Sequence, residues 1–153
     1  MIIKPDLDRK REHLLSLLES YGSALIAYSG GVDSTLLAFM LRKVLKKNVL
    51  AVTFKTPMVS FREFEASQNI IKKMGIPCDV IHLNMLENLD FIKNNSRRCY
   101  FCKKKMFQEA KKIAAEKNIT QVLHGANVSD LSDVRPGMIA AGECDVKAPF
   151  IEA

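Results

Sequence analysis

Ala24-Leu25-Ile26-Ala27-Tyr28-Ser29-Gly30-Gly31-Val32-Asp33-Ser34-Thr35 is the stretch on which the reading of this chain turns. Ala24–Tyr28 is short and continuously apolar, the pattern of a strand covered on both faces. Residues 34–47 read as a helix, and Lys46, Lys47 and Asn48 suit its C-terminus. Between strand and helix stand two adjacent glycines, which let the backbone turn where other residues resist it. A strand, a glycine turn and a helix in that order can aim several backbone N–H groups at one anionic ligand.

The same alternation continues outward. Residues 6–20 read as a helix, with Leu14, Leu15, Leu17 and Leu18 as an apolar stripe behind an acidic first turn. Val49–Phe54 reads as the second strand, and 61–74 as a helix stopped by Gly75 with Pro77 just beyond. Val80–Leu83 is the third strand, 97–117 a long basic helix ending at Asn118, and Gln121–His124 the fourth strand. Strands and helices alternating at this spacing predict an α/β fold, a doubly wound parallel sheet joined by right-handed crossovers. In such sheets ligands sit outside the carboxyl ends of the strands. Two segments occupy that position, Ser29–Ser34 and Gly125–Gly137.

Composition narrows the function classes. The 153 residues suit a single domain spanning 1–153, and an apolar content of 48% speaks against disorder. The longest apolar run, Leu36–Leu41, is six residues, against the roughly 20 needed to span a bilayer. Asp6 and Asp8 interrupt any signal-peptide core. A soluble, cytoplasmic protein with no membrane partner is expected. The net charge of +6 is concentrated: residues 93–117 hold nine bases and only two acids, Glu109 and Glu116. One basic segment on a near-neutral body suggests a small local anion, with tRNA the alternative polyanion.

Ser29-Gly30-Gly31-Val32-Asp33-Ser34 has the parts of a phosphate cradle: two glycines, a helix start, and hydroxyls on Ser29, Ser34 and Thr35. It lacks the lysine and the spacer of a Walker loop. The plain alternative is an ordinary turn with Asp33 or Ser34 as helix cap. The six residues resemble the SGGxDS signature of the PP-loop ATP pyrophosphatases, whose fold is Rossmann-like, of the adenine nucleotide alpha hydrolase type. The resemblance implies that ATP is split between its α and β phosphates. Ser29, Gly30, Gly31 and Ser34 would then bind the β and γ phosphates, Asp33 would help hold Mg²⁺, and Thr53 would lie near the adenosine.

Further along come Arg97-Arg98-Cys99-Tyr100-Phe101-Cys102-Lys103, then Met106-Phe107, and later Gly125-Ala126-Asn127-Val128-Ser129-Asp130-Leu131-Ser132-Asp133-Val134-Arg135-Pro136-Gly137. Together these resemble the LarE family, ATP-dependent sacrificial sulfur transferases of nickel-pincer nucleotide synthesis. Thr56-Pro57, Glu63 and His82 fit the same pattern, while Ser129 and His124 each stand where that family commonly has Asp. The resemblance implies adenylation of a carboxylate on a pyridinium dicarboxylate mononucleotide, followed by attack of a cysteine sulfur. The adenylate makes the carboxyl carbon electrophilic, with AMP as leaving group. Arg97, Arg98 and Lys103 are candidate contacts for such an anionic substrate. Gly125, Asn127 and Arg135 join them as candidate ligand-binding residues on the later motif. Asp130 is a candidate Mg²⁺ ligand, on a loop where Asp also serves merely to make turns. Lys104, Lys105, Lys111 and Lys112 read more simply as a solvated helix face.

The chain has four cysteines, Cys78, Cys99, Cys102 and Cys144, and no secretory signal to suggest disulfides. Cys99, Cys102 and Cys144 are candidate catalytic thiols, and three readings of them stand side by side. Cys99 and Cys102 fall with Met106, Ala110 and Ile113 on one helical stripe, where cysteine is a small buried residue. The CxxC pair could instead be a redox or sulfur-relay pair. With Cys144 it also makes the ligand count of a three-cysteine 4Fe–4S cluster. Cys78, beside Pro77, reads as structural, and His13 and His82 form no ligand pair by spacing.

The LarE pattern also continues past Ala153, with a further cysteine-bearing segment where its single-cysteine members carry the sacrificial sulfur. The expectation is therefore an adenylating half that binds ATP and works as a homo-oligomer or with a partner chain supplying the rest. Residues 1–153 alone are expected to complete sulfur transfer poorly. Two other functions remain in view. One is a tRNA-thiolating PP-loop enzyme, in which a CxxC also occurs; the other is a nucleotide-binding assembly module without catalysis.

Overall fold

The computed structural model describes residues 5–87, 89–93, 98–131 and 136–153. In chain order the elements are α1 (Pro5–Ser20), β1 (Ala24–Ala27), α2 (Val32–Leu45), β2 (Val49–Lys55), α3 (Phe61–Lys73) and β3 (Cys78–His82). After a 3-10 turn come α4 (Leu89–Ile92), α5 (Arg98–Glu116), β4 (Gln121–Leu123), a second 3-10 turn (Val128–Leu131), α6 (Pro136–Glu143) and α7 (Pro149–Glu152). The four strands form one sheet in the order β3-β2-β1-β4, every pair parallel.

Strand alternation divides the interior in two. Ala24 and Ile26 of β1, with Val49 and Ala51 of β2, meet Leu14 and Leu18 of α1, Leu37 and Leu41 of α2, and Ile71 of α3. Leu25, with Leu50, Val52 and Val122, faces the other way, onto Tyr100, Phe107, Ala110 and Ala114 of α5 and Ala140 and Ala141 of α6. Successive side chains on a strand point to opposite faces, so a strand covered on both sides must be apolar throughout. That is why Ala24–Ala27 carries no polar residue. Among the described residues no helix is long and apolar enough to cross a membrane.

The winding has a break that matters. From β1 the chain moves outward through β2 to β3, then returns past both to place β4 on the far side of β1. The loops leaving β1 and β4 therefore diverge to opposite sides, opening a crevice above their carboxyl ends.

Several local features differ from the sequence reading. Helix α2 begins at Val32, two residues early, because Gly31 is its cap and no side chain bonds there; Asp33 and Ser34 lie inside the first turn. Strand β3 begins at Cys78. Residues 136–143, to which the sequence reading assigned no element, form a helix, although a proline and two glycines in eight residues argue locally against one. Packing overrides that preference: Ala140 and Ala141 are buried, and Tyr100 Oη of α5 donates to Glu143 Oε2 at 2.5 Å. Lys104 Nζ, 3.3 Å from the same carboxylate, also donates to Tyr100 Oη at 2.9 Å. These bonds, to Tyr100 first and Glu143 second, hold the Lys104 ammonium above its ordinary pKa.

Gly30 joins the β1 exit to α3. Its φ is +83°, and an added Cβ would lie 2.4 Å from the Ser67 Cβ. Gly30→Ala is expected to cost about 3 kcal/mol, from left-handed backbone strain plus overpacking. Urea melts would read this, and a Ser67→Gly change in the Gly30→Ala background should recover only the packing part.

Candidate active site

The crevice between β1 and β4 holds a cavity of about 610 Å³. From the β1 side it is lined by Ser29, Gly31, Val32, Asp33 and Ser34, and from the β4 side by His124, Gly125, Ala126 and Asp130. Helix α5 contributes Cys99, Lys103 and Phe107, and α6 contributes Pro136, Gly137 and Met138. Both strand-end segments singled out in the sequence thus meet in one space.

The first wall is a helix start left open. The first N–H groups of any α-helix lack partners within the helix, and Gly31 has no side chain to supply one. The N–H groups of Val32, Asp33 and Ser34 belong to that turn, with the positive end of the helix dipole behind them. The hydroxyls brace the loop: Ser29 and Ser34 Oγ lie 3.0 Å apart, Gly31 N–H donates to Ser29 Oγ at 3.3 Å, and Ser34 Oγ donates to Gly31 O at 3.3 Å. Thr35 Oγ1 turns away from the cavity, toward Tyr28 Oη at 3.5 Å.

Gly125 sets how close the second wall comes. A Cβ there would lie 2.8 Å from Ser34 N and 3.1 Å from the Asp33 carbonyl carbon, so only glycine lets the β4 exit rest against α2. Asn127 then ties the two walls together. Its Nδ2 donates to Asp33 Oδ2 at 2.9 Å, its backbone N–H donates to Asp130 Oδ2 at 2.8 Å, and its Oδ1 accepts from Ser129 N–H at 2.8 Å. Two carboxylates are thus held on one cavity by one residue, Asp33 through the Asn127 amide side chain and Asp130 through its backbone N–H. Mg²⁺ is commonly held by one or two carboxylates, with water and substrate phosphates completing the shell. Asp33 and Asp130 fit that donor set.

On the facing wall Lys103 is exposed and forms no ion pair among the described residues. Neighbouring lysines of α5 are engaged: Lys104 with Glu143, Lys105 with Glu109 at 3.3 Å, and Lys111 with Asp145 at 3.6 Å. Arg98 Nη2 reaches Met58 Sδ at 2.8 Å, linking the start of α5 to the loop after β2. Arg97, Asp133 and Arg135 lie outside the described residues.

The cysteines do not converge. Cys102 packs, partly buried, against the core beside Met106 and Ile113, and its burial pushes the thiol pKa up. Cys144 packs against that same core, while Cys99 is exposed and lines the cavity. Among the described residues no three Cys, His, Asp or Glu side chains are grouped to hold a metal ion. Among the described residues the three-cysteine arrangement drawn from the sequence is not grouped as a cluster site, since Cys102 and Cys144 pack, partly buried, against the core while Cys99 lines the cavity. Thr53 lies outside this cavity. It is buried in β2, its hydroxyl donating to Tyr28 O at 3.3 Å and accepting from Gln68 Nε2 at 3.1 Å. Glu63 is used locally, in a capping box with Ser60 at the start of α3.

A family model for NAD synthase matches residues 11–127, more than half of the chain and including both walls of the cavity. The chain belongs to the NAD synthase family, within the PP-loop superfamily. Among curated relatives of this family member, a protein of Synechocystis without an assigned function is 36% identical over 146 residues, covering 95% of the chain and 54% of the relative. The pyridinium-3,5-bisthiocarboxylic acid mononucleotide synthase of Lactiplantibacillus plantarum is 32% identical over 149 residues, covering 96% of the chain and 54% of the synthase. This similarity agrees with the LarE-like motifs. The chain spans about half the length of these relatives. The fold is shared with the ammonia-dependent NAD synthetase of Campylobacter jejuni, with a TM-score of 0.67 at 18% identity, covering 95% of this chain and 76% of that one.

One cavity residue that periodicity and spacing passed over in this NAD synthase family member is His124. Its ring lies 5.4 Å from that of Phe107, and its Nε2 is buried without a hydrogen-bond partner. Burial, reinforced by the Lys103 charge and opposed by Asp130, pushes its pKa down to about 4. The hints in the sequence were an imidazole at the end of a buried strand and its departure from the Asp of the resembling family. Because the folded-state pKa lies below the unfolded one, the unfolded chain binds this proton first. The stability contribution is complete above pH 6.5 and falls as the pH drops toward 4. Urea melts at pH 7 and pH 5 should differ by on the order of 1–2 kcal/mol more for the wild type than for His124→Gln.

Proposed function

We propose that this chain is an ATP-handling domain that adenylates a carboxylate of a small anionic, nucleotide-like substrate, releasing pyrophosphate, in the service of sulfur transfer. The observation that carries this reading is the composition of the cavity at the β1/β4 divergence. It joins an open helix start, two carboxylates tied through Asn127, a lysine and a thiol. The relationship to a pyridinium mononucleotide synthase supports the substrate class and the sulfur chemistry.

In this reading the β and γ phosphates of ATP lie on the first turn of α2, where the N–H groups of Val32, Asp33 and Ser34 stabilise negative charge. Gly31 and Gly125 keep side-chain bulk away from that turn. A substrate carboxylate oxygen attacks the α-phosphorus, the bond to the β-phosphate breaks, and pyrophosphate leaves with its charge held by the loop. Asp33 and Asp130 would hold Mg²⁺, which neutralises phosphate charge when bound. Asn127 keeps the two carboxylates at fixed separation, and Lys103 faces the substrate's anionic groups. Most other cations of α5 are paired with carboxylates, which favours a small anion over a long polyanion.

The direct test is isotope exchange between pyrophosphate and ATP with nicotinic acid mononucleotide as the probe carboxylate. Exchange that depends on the probe and on Mg²⁺ is expected. Nucleotide binding without exchange for this or related pyridine carboxylate nucleotides would defeat the adenylation reading and leave a binding module. Asp33→Asn should weaken Mg²⁺-dependent ATP binding roughly tenfold, the scale of one lost charge-assisted contact. Asn127→Ala should lower exchange while leaving the melting temperature within a few degrees, because the bond it removes is exposed. Calorimetric titration and thermal melts would check the pair.

A further inference from the structure

Tyr28 stands between β1 and the glycine turn but does not line the cavity, and neither do Thr35, Ser67 and Gln68. The residue is buried in the core shared by α1, α2 and α3. A phenol in such surroundings needs partners for its hydroxyl, and two helices supply them. Tyr28 Oη donates to Ser67 O of α3 at 3.2 Å and accepts from Thr35 Oγ1 of α2 at 3.5 Å. Thr35 is the residue whose N–H closes the first turn of α2, onto Gly31 O at 3.0 Å. Ser67 is the residue against which Gly30 is seated. The Tyr28 carbonyl is tied to α3 a second time, through the Thr53 hydroxyl that also accepts from Gln68. One residue thus joins the start of the loop, the turn that ends it, and the helix it rests on.

From this arrangement we propose that Tyr28 is the positioning residue of the anion-binding loop: its hydroxyl holds residues 29–34 in their ligand-ready shape from behind, through Thr35 and Ser67, without touching the ligand. The inference rests on the phosphate placement proposed above and deepens it. Two adjacent glycines leave the loop many other shapes, and every donor that must be re-aimed on binding costs affinity. The braces on the cavity side, Gly31 N–H to Ser29 Oγ and Asn127 Nδ2 to Asp33 Oδ2, are exposed, so water can replace them. The Tyr28 bond to Ser67 O is buried, and water does not compete for it. Removing the hydroxyl strands little, because Ser67 O lies inside α3, where the helix ladder also engages it. Loop shape, more than global stability, is what the hydroxyl controls.

The test is calorimetric titration of the full chain with inorganic pyrophosphate in the presence of Mg²⁺, beside thermal melts and amide hydrogen exchange. Tyr28→Phe is expected to bind pyrophosphate roughly fivefold more weakly than wild type, the scale of one neutral hydrogen bond. Its melting temperature should stay within a few degrees, and the amides of residues 30–34 should exchange faster. Thr35→Val breaks the same contact from the other side and should weaken binding in the same direction, and the double variant should match Tyr28→Phe alone. Tyr21→Phe is the control, since that hydroxyl bonds Glu152, away from the cavity, and it should bind pyrophosphate as wild type does. A lower melting temperature with unchanged affinity in Tyr28→Phe would mark the hydroxyl as structural only and overturn the proposal. So would an equal loss in Tyr21→Phe, additive losses in the double variant, or loop amides that exchange no faster. Wild-type protein that binds no pyrophosphate would overturn the phosphate placement and this inference with it, whereas binding indifferent to Tyr28→Phe would overturn this inference alone.

Discussion

The close contact between the β4 exit and the first turn of α2 is the constraint on which the site depends. A methyl group on Gly125 would lie 2.8 Å from Ser34 N, so the two backbones touch with no side chain between them. That contact brings Asn127 within reach of Asp33 and holds the mouth of the sheet to one geometry. Gly30 does the same on the opposite side, seating the β1 exit against Ser67 of α3. The loop between them is pinned at both edges and braced by its own serine hydroxyls, while the first turn of α2 has no side-chain cap. Rigidity of this kind suits anion binding, because donors already in position lose little freedom when the ligand arrives.

The second half of the site depends on α5. Its buried face packs on Leu25, Leu50 and Val122 of the sheet, and its outer edge carries Cys99 and Lys103 to the crevice. Helix α6 leans on it through the Tyr100, Lys104 and Glu143 network. That network has a consequence for charge. Lys104 looked like one of several solvated lysines, yet it neutralises a carboxylate across two helices and shares a phenol with it. The cavity is therefore served by Lys103 in particular and not by a diffuse basic face. A small, locally charged ligand matches that distribution.

Much of the fold was legible before any coordinates. Ala24–Ala27 is apolar on every residue and Val49–Val52 likewise, because both faces of the sheet are covered, and such runs differ from the longer period of an amphipathic helix. The glycine pair after β1 marked the turn, and Gly75 marked the end of α3. Helix α6 was not legible, because Pro136-Gly137 and Gly142 argue locally for a loop and its stability comes from contacts with α5. The use of the Thr53 hydroxyl was not legible for a related reason. A hydroxyl at a strand end can face the ligand or satisfy a neighbour's backbone, and only the position of Tyr28 O and Gln68 decides.

By itself the sequence determined the α/β alternation, the strand-turn-helix cradle at Ser29–Ser34, and the pairing of that cradle with the segment after the fourth strand. These follow from periodicity and from backbone freedom at glycine, both local properties. Only the tertiary structure decided which of several chemically equal residues belong to the site. Cys99 and Cys102 are indistinguishable in the CxxC motif, and Asp33 could have been a simple helix cap. Their difference lies in the rotational phase of α5 and in the approach of β4 to α2. Contacts distant in the chain set both, and no local pattern encodes them.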